Sequence, residues 1–155
     1  MATFNSDIYT ANQPANNSHG LSRAHTHMHG IVTVTTAMTT NDVLNIGYLP
    51  INAVVVTVHL KAPTQLDSNG APTLTFSLGV TGTAALWKSA VTTVGRVAGV
   101  SSDTTIATAG GLYKNTSGSK LLVIATCGNV AATPVAGTVE VDIGYYVEDA
   151  AGSAP

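Results

Sequence analysis

The sequence predicts an all-β fold, an eight-stranded, jelly-roll-like β-sandwich with an extended N-terminal arm. Three observations point there. Apolar and polar residues alternate along Thr73–Leu78 and Gly137–Val147, and a strand sends successive side chains to opposite faces. Val and Thr are abundant, and their branched Cβ suits the pleat better than the helix. Turn-forming residues recur roughly every 8–15 positions, the spacing of a sandwich rather than of strands alternating with helices.

In chain order, residues 1–27 read as the arm. Asn5, Asn12, Gln13, Pro14, Asn16, Asn17, Ser18 and Gly20 resist regular structure. Asp7, Ile8, Tyr9 and Leu21 are its candidate contacts with a neighbour. The β-sandwich domain spans 28–148. Its first strand runs from about Met28 to Met38, and Asn41-Asp42 turns the chain. Val43–Gly47 is a short strand closed by Tyr48-Leu49-Pro50, since proline lacks the donor to continue a ladder. Residues 54–79 read as a hairpin. Val54, Val56, Val58 and Leu60 share one face of its first strand, and Leu74, Phe76 and Leu78 share one face of its second. Asp67-Ser68-Asn69-Gly70 is the turn between them.

Gly79–Thr83 is then a loop. Ala85–Val94 reads as a strand or a single helical turn, with Trp87 packing into or capping the core. Gly95–Asp103 is irregular, and Thr104–Ala107 is a weak strand. Lys114–Ser119 is a turn, Leu121–Ala125 a strand buried on both faces, and Ala131–Ala136 a loop around Pro134. In the last strand Val139, Val141, Ile143 and Tyr145 face one way, opposite Thr138, Glu140, Asp142 and Tyr146. Residues 149–155 form a flexible C-terminal tail.

Composition narrows the function. The 155 residues suffice for one domain with a real core. Only 9% are charged against 45% hydrophobic, so the surface is covered mainly by Thr, Ser, Asn, Ala and Gly. Such a surface is either a Thr-rich β face or one partly buried in an assembly, because interface centres are depleted in charge. Six basic and eight acidic residues are scattered singly. No basic patch exists to neutralise a run of phosphates, so nucleic acid is not an expected partner. No run reaches the roughly 20 apolar residues of a membrane helix, and no secretory signal opens the chain. The expected place of synthesis is the cytoplasm. The lone Cys127 forms no internal disulfide framework and reads as a small buried hydrophobe.

The candidates for chemistry are few. His25, His27 and His29 alternate. In an extended segment they share one face at spacings of roughly 6.5–7 Å, so neighbouring pairs can grip a metal ion. One chain lacks the further ligand that a hydrolytic zinc site adds, unless His59 approaches in the fold. Around the axis of a trimer, one His-x-His per chain could surround an ion. Gly79-x-x-Gly82 has no phosphate-loop lysine, and no Gly-x-Ser-x-Gly elbow exists. Glu140 and Asp142 are two apart on a strand face, where carboxylates are ordinarily solvated. Asp67-Ser68-Asn69-Gly70 resembles the start of a calcium loop but lacks its distal glutamate. The expectation is a non-enzyme with no cofactor beyond a metal ion on an oligomer axis.

The layout resembles a known family. The resemblance rests on Asp7-Ile8-Tyr9-Thr10-Ala11-Asn12, His19-Gly20-Leu21, Thr35–Thr40, Asn41 to Pro50, Asp67 to Leu74 and Gly137-Thr138-Val139-Glu140-Val141. These are similar to the head decoration, or cement, proteins of tailed bacteriophages, small structural proteins encoded near the major capsid protein. The resemblance implies a virion protein on the capsid surface that binds the major capsid protein and itself, commonly as a homotrimer, and stabilises the shell. A head-fibre base or tail-associated protein is the alternative within that world. A carbohydrate-binding β-sandwich is a third reading, for which one Trp and five Tyr offer little stacking surface.

Overall fold

A computed structural model of the chain describes residues 3–5, 26–34, 38–105 and 112–148. Among them are ten strands and no helix. They are β1 (Thr3–Asn5), β2 (Thr26–Val34), β3 (Val43–Leu49), β4 (Ala53–Lys61), β5 (Phe76–Val80), β6 (Thr83–Val91), β7 (Ser101–Thr105), β8 (Tyr113–Lys114), β9 (Leu121–Cys127) and β10 (Gly137–Val147). The protein is all-β, as expected. Strands β1 and β8, three and two residues long, are too short for alternation to reveal. Strand β7 falls largely in the stretch read as irregular, because Ser101-Ser102-Asp103 carries no apolar alternation.

One sheet has the order β1-β3-β9-β5-β6, the other β2-β10-β4-β7, with β8 also pairing β4. All pairings are antiparallel except β1 with β3. The core lies between the sheets. Met28, Val32 and Val34 of β2, Leu44, Ile46 and Leu49 of β3, Phe76 and Leu78 of β5, and Val139, Val141, Ile143 and Tyr145 of β10 are all buried in it. The β10 alternation is therefore as the sequence implied.

The 54–79 hairpin is not formed. Strand β4 lies in one sheet and β5 in the other, joined by the long connection 62–75. That stretch crosses between the layers instead of reversing within one. The true hairpin is β5–β6, closed by Thr81-Gly82, with Gly82 at φ 87° in the left-handed region that glycine adopts freely. The faces of β4 also need correction. Its register against β10 shifts between Gly144 and Tyr145, so that Thr57 pairs Gly144 while Val55 pairs Tyr145. Val56 is the extra residue of a bulge, and a bulge reverses the alternation beyond it. Val58 and Leu60 point into the core as expected, but upstream it is Val55 and Ala53 that do so, not Val56. Trp87 is partly buried and meets Tyr113 edge to face, ring centroids 5.6 Å apart.

Register places the connections. Gly137 pairs Val34, Phe76 pairs Cys127 and Val91, and Val43 pairs Thr126. The connections 38–42, 62–75, 92–100 and 128–136 consequently gather at one end of the sandwich. The turns 50–52 and 81–82 and the stretch 112–120 lie at the other.

Candidate functional site

At each end a fully buried polar side chain ties the loops together. At the loop-rich end it is Asp67, which is 0% exposed. Its Oδ2 accepts the backbone N–H groups of Thr73 at 2.8 Å, Ala132 at 3.0 Å and Leu74 at 3.2 Å. Its Oδ1 accepts those of Thr133 at 3.0 Å and Asn69 at 3.3 Å. Burial alone would push this carboxyl up, but the N–H groups of Thr133, Ala132, Thr73 and Leu74 outweigh it and hold the group well below the usual carboxylate range. Asp67–Gly70 is therefore not the turn of a hairpin: Asn69 N–H bonds back to Asp67 Oδ1, and the aspartate is a hub for donors about 65 residues away, which no local pattern signals.

Gly95 and Arg96 complete this hub. The Gly95 carbonyl accepts both Leu66 N–H and Asp67 N–H. Gly95 has φ 80°, and an added Cβ would meet Leu74 Cδ2 at 2.9 Å. Arg96 donates through Nε to the Leu74 carbonyl at 2.6 Å and through a terminal nitrogen to that of Thr73 at 2.9 Å. At the other end Asn115, also fully buried, donates to the carbonyls of Pro50 and Ser119, both at 2.9 Å, and accepts from the Ser117 hydroxyl at 2.7 Å. Beside it Lys114 Nζ lies 2.7 Å from Glu148 Oε2.

Several ionisable side chains of the second sheet gather on its outer face. Strands β2, β10 and β4 place His29, Asp142 and His59 in one cross-strand row. His29, His59, Lys61, Ser101, Glu140 and Asp142 line a depression of about 290 Å³ there. His27, whose side chain is 60% exposed, contacts Asp142 Oδ1 through Nδ1 at 2.8 Å. His59 lies in the same row as His29, separated from it by Asp142 on the strand between. His27 and His29 share a face as their spacing predicts. His25 lies outside the described residues, as do Asp7, Ile8, Tyr9 and Leu21. Among the described residues no group of three or more His, Cys, Asp or Glu is placed to hold a metal ion.

Cys127 is buried, and its thiol donates to the Asn129 carbonyl at 3.3 Å. Burial and, secondarily, the Asp42 charge push its pKa up to about 11, the opposite of what activates a nucleophile. Burial likewise pushes Tyr145 up to about 12, and its hydroxyl has no hydrogen-bond partner among the described residues. No helix among the described residues is long and apolar enough to cross a membrane.

No protein-family model and no curated protein matches the chain. Two solved structures do. A chain of the cyanophage Pam1 capsid asymmetric unit is 32% identical, with a TM-score of 0.70, over 88% of this chain and 94% of that one. A chain of the capsid of Ralstonia phage GP4 has the same fold, with a TM-score of 0.75 at 24% identity over 96% of this chain and 100% of that one. Fold and sequence together define a phage capsid-related β protein. The chain belongs to the same family as the Pam1 capsid chain.

Proposed function

We propose that the chain is a non-enzymatic virion structural protein, a decoration or cement protein that binds the outside of a phage capsid and stabilises the shell. The observation that carries this is the 32% identity, over almost all of both chains, to a chain of a phage capsid asymmetric unit. Strand order supports the jelly-roll reading. With β1 set aside, the sheets run β3-β9-β5-β6 and β2-β10-β4-β7, so successive strands from β2 to β5 alternate between the layers and β10 returns beside β2. The partners are the major capsid protein and further copies of this chain, as a homotrimer. A protein that binds only the assembled lattice stabilises that lattice by mass action, and a trimer multiplies weak contacts through effective concentration.

The test is cosedimentation of the purified chain with cognate empty shells, followed by heating. The proposal expects saturable binding and shells that survive higher temperature. Unbound chain, or density at the tail in micrographs of virions, overturns it. A second prediction concerns the arm. Removing residues 1–20 should weaken attachment about tenfold, because an extended arm adds strand contacts to a neighbour, and should also lower the melting temperature by several degrees, because it strips β1 from β3 and takes Phe4 off the core. Unchanged attachment of the truncated chain refutes that role for Asp7, Ile8 and Tyr9.

A further inference from the structure

The distribution of charge points to one end of the sandwich as the surface that meets the shell, an inference that rests on the decoration-protein reading. The connections 38–42, 62–75, 92–100 and 128–136 contain only three charged side chains, Asp42, Asp67 and Arg96. All three are turned inward or tied down. Asp67 is caged by backbone N–H groups, and Arg96 donates to the carbonyls of Thr73 and Leu74. Asp42 is 1% exposed and accepts the Thr39 N–H and hydroxyl, each at 2.8 Å. What this end offers outward is Thr, Ser, Asn, Ala, Pro and three valines, Val97, Val130 and Val135, exposed by 57%, 41% and 41%.

The other end shows as many exposed apolar side chains, in Ile51, Leu112 and Val147. Lys114, Glu148 and the exposed Lys120 are set among them. The flank formed by the second sheet carries His27, His29, His59, Lys61, Glu140 and Asp142. Ion-bearing groups are thus concentrated on the opposite end and on this flank. The hub end carries a single half-buried ion, Arg96, whose guanidinium already donates to two carbonyls, so docking there desolvates few charges.

Its backbone is also fixed in advance. Asp67, Gly95 and Arg96 tie 62–75, 92–100 and 128–136 together, as do the Ser68 N–H to the Thr133 carbonyl and the Val135 N–H to the Leu66 carbonyl. Loops already ordered lose little entropy on docking. We infer that this end, through Val97, Val130 and Val135, is the foot on which the protein stands, and that its occupant is a matching uncharged surface of the assembled shell protein.

The experiment measures binding of three variants to cognate empty shells beside the wild type, with melting temperature and oligomeric state recorded for each. V130E/V135E and, on a separate loop, V97E place carboxylates in the foot. I51E places one at the opposite end. The expected result is at least tenfold weaker binding for the foot variants, with unchanged melting temperature and oligomeric state, and wild-type binding for I51E. Wild-type binding by both foot variants overturns the inference, as does equal weakening by I51E. A foot variant that falls apart into monomers overturns it as well, since the end would then join copies of this chain. If the wild type itself fails to bind, the decoration reading falls first and the foot with it.

Discussion

Replacing Asp67 by Asn should destabilise the protein by about 2–4 kcal/mol, the scale of losing charge-assisted hydrogen bonds and leaving buried N–H groups unsatisfied. Asn keeps the shape, so the effect isolates charge and donor geometry. Two backbone N–H groups converge on Oδ1 and three on Oδ2. Whichever branch becomes NH₂ must face donors with a donor, leaving buried N–H groups unsatisfied. For a domain of this length each kcal/mol moves the melting temperature by about 2–4 °C, so a fall on the order of 10 °C is expected by calorimetry. A fall under about 2 °C would show that the loops hold themselves without the carboxylate.

The same group sets an acid limit. Its folded pKa lies below its unfolded value near 3.9. Its contribution is therefore fully present above the unfolded pKa and is lost as pH falls through the folded one. Wild-type stability should drop with acid below about pH 4. Asp67→Asn should lose that share of the acid dependence, read as a flatter curve of stability against pH. Equal slopes for the two proteins would contradict the cage.

Phe76→Ala should cost roughly 3–5 kcal/mol, the penalty for emptying a well-packed site. Phe76 is 0% exposed. It pairs Cys127 on one side and Val91 on the other, and its Cε2 lies 3.3 Å from where a Cβ on Gly95 would stand. The ring thus fills the core directly beneath the Asp67 hub. Urea unfolding at fixed protein concentration measures the change. A loss under about 1 kcal/mol would mean that the core closes around the vacancy.

Period-two patterning carried the fold class because burial enforces it. The alternation of Val139, Val141, Ile143 and Tyr145 needs no partner to be read. Pairing is another matter. Strands β4 and β5 are neighbours in sequence and have complementary faces, yet they belong to opposite layers. Only the length of 62–75 hinted at this. The bulge at Val56 was invisible because Val54 to Val56 are all valine, so either phase of alternation fits. The two outward histidines of β2 were legible from spacing alone. Their row with Asp142 and His59 depends on the register of three strands, which no local pattern encodes. The hub was illegible for the same reason, since Ala132 and Thr133 lend only backbone groups to Asp67. Similarity to phage capsid chains came through turn and strand text spread along the chain, and the Pam1 relation agrees with it at the level of a capsid-related protein.

Strand β10 has a consequence for biogenesis. It sits between β2 and β4 at the centre of its sheet, although it spans residues 137–147. A nascent chain therefore cannot assemble that layer while it is still being translated through residue 136. Until then β2 and β4 lack the strand that joins them, and their inward valines stay open to solvent or to chaperones. That layer can close only once residues 137–147 are available to pair with both β2 and β4.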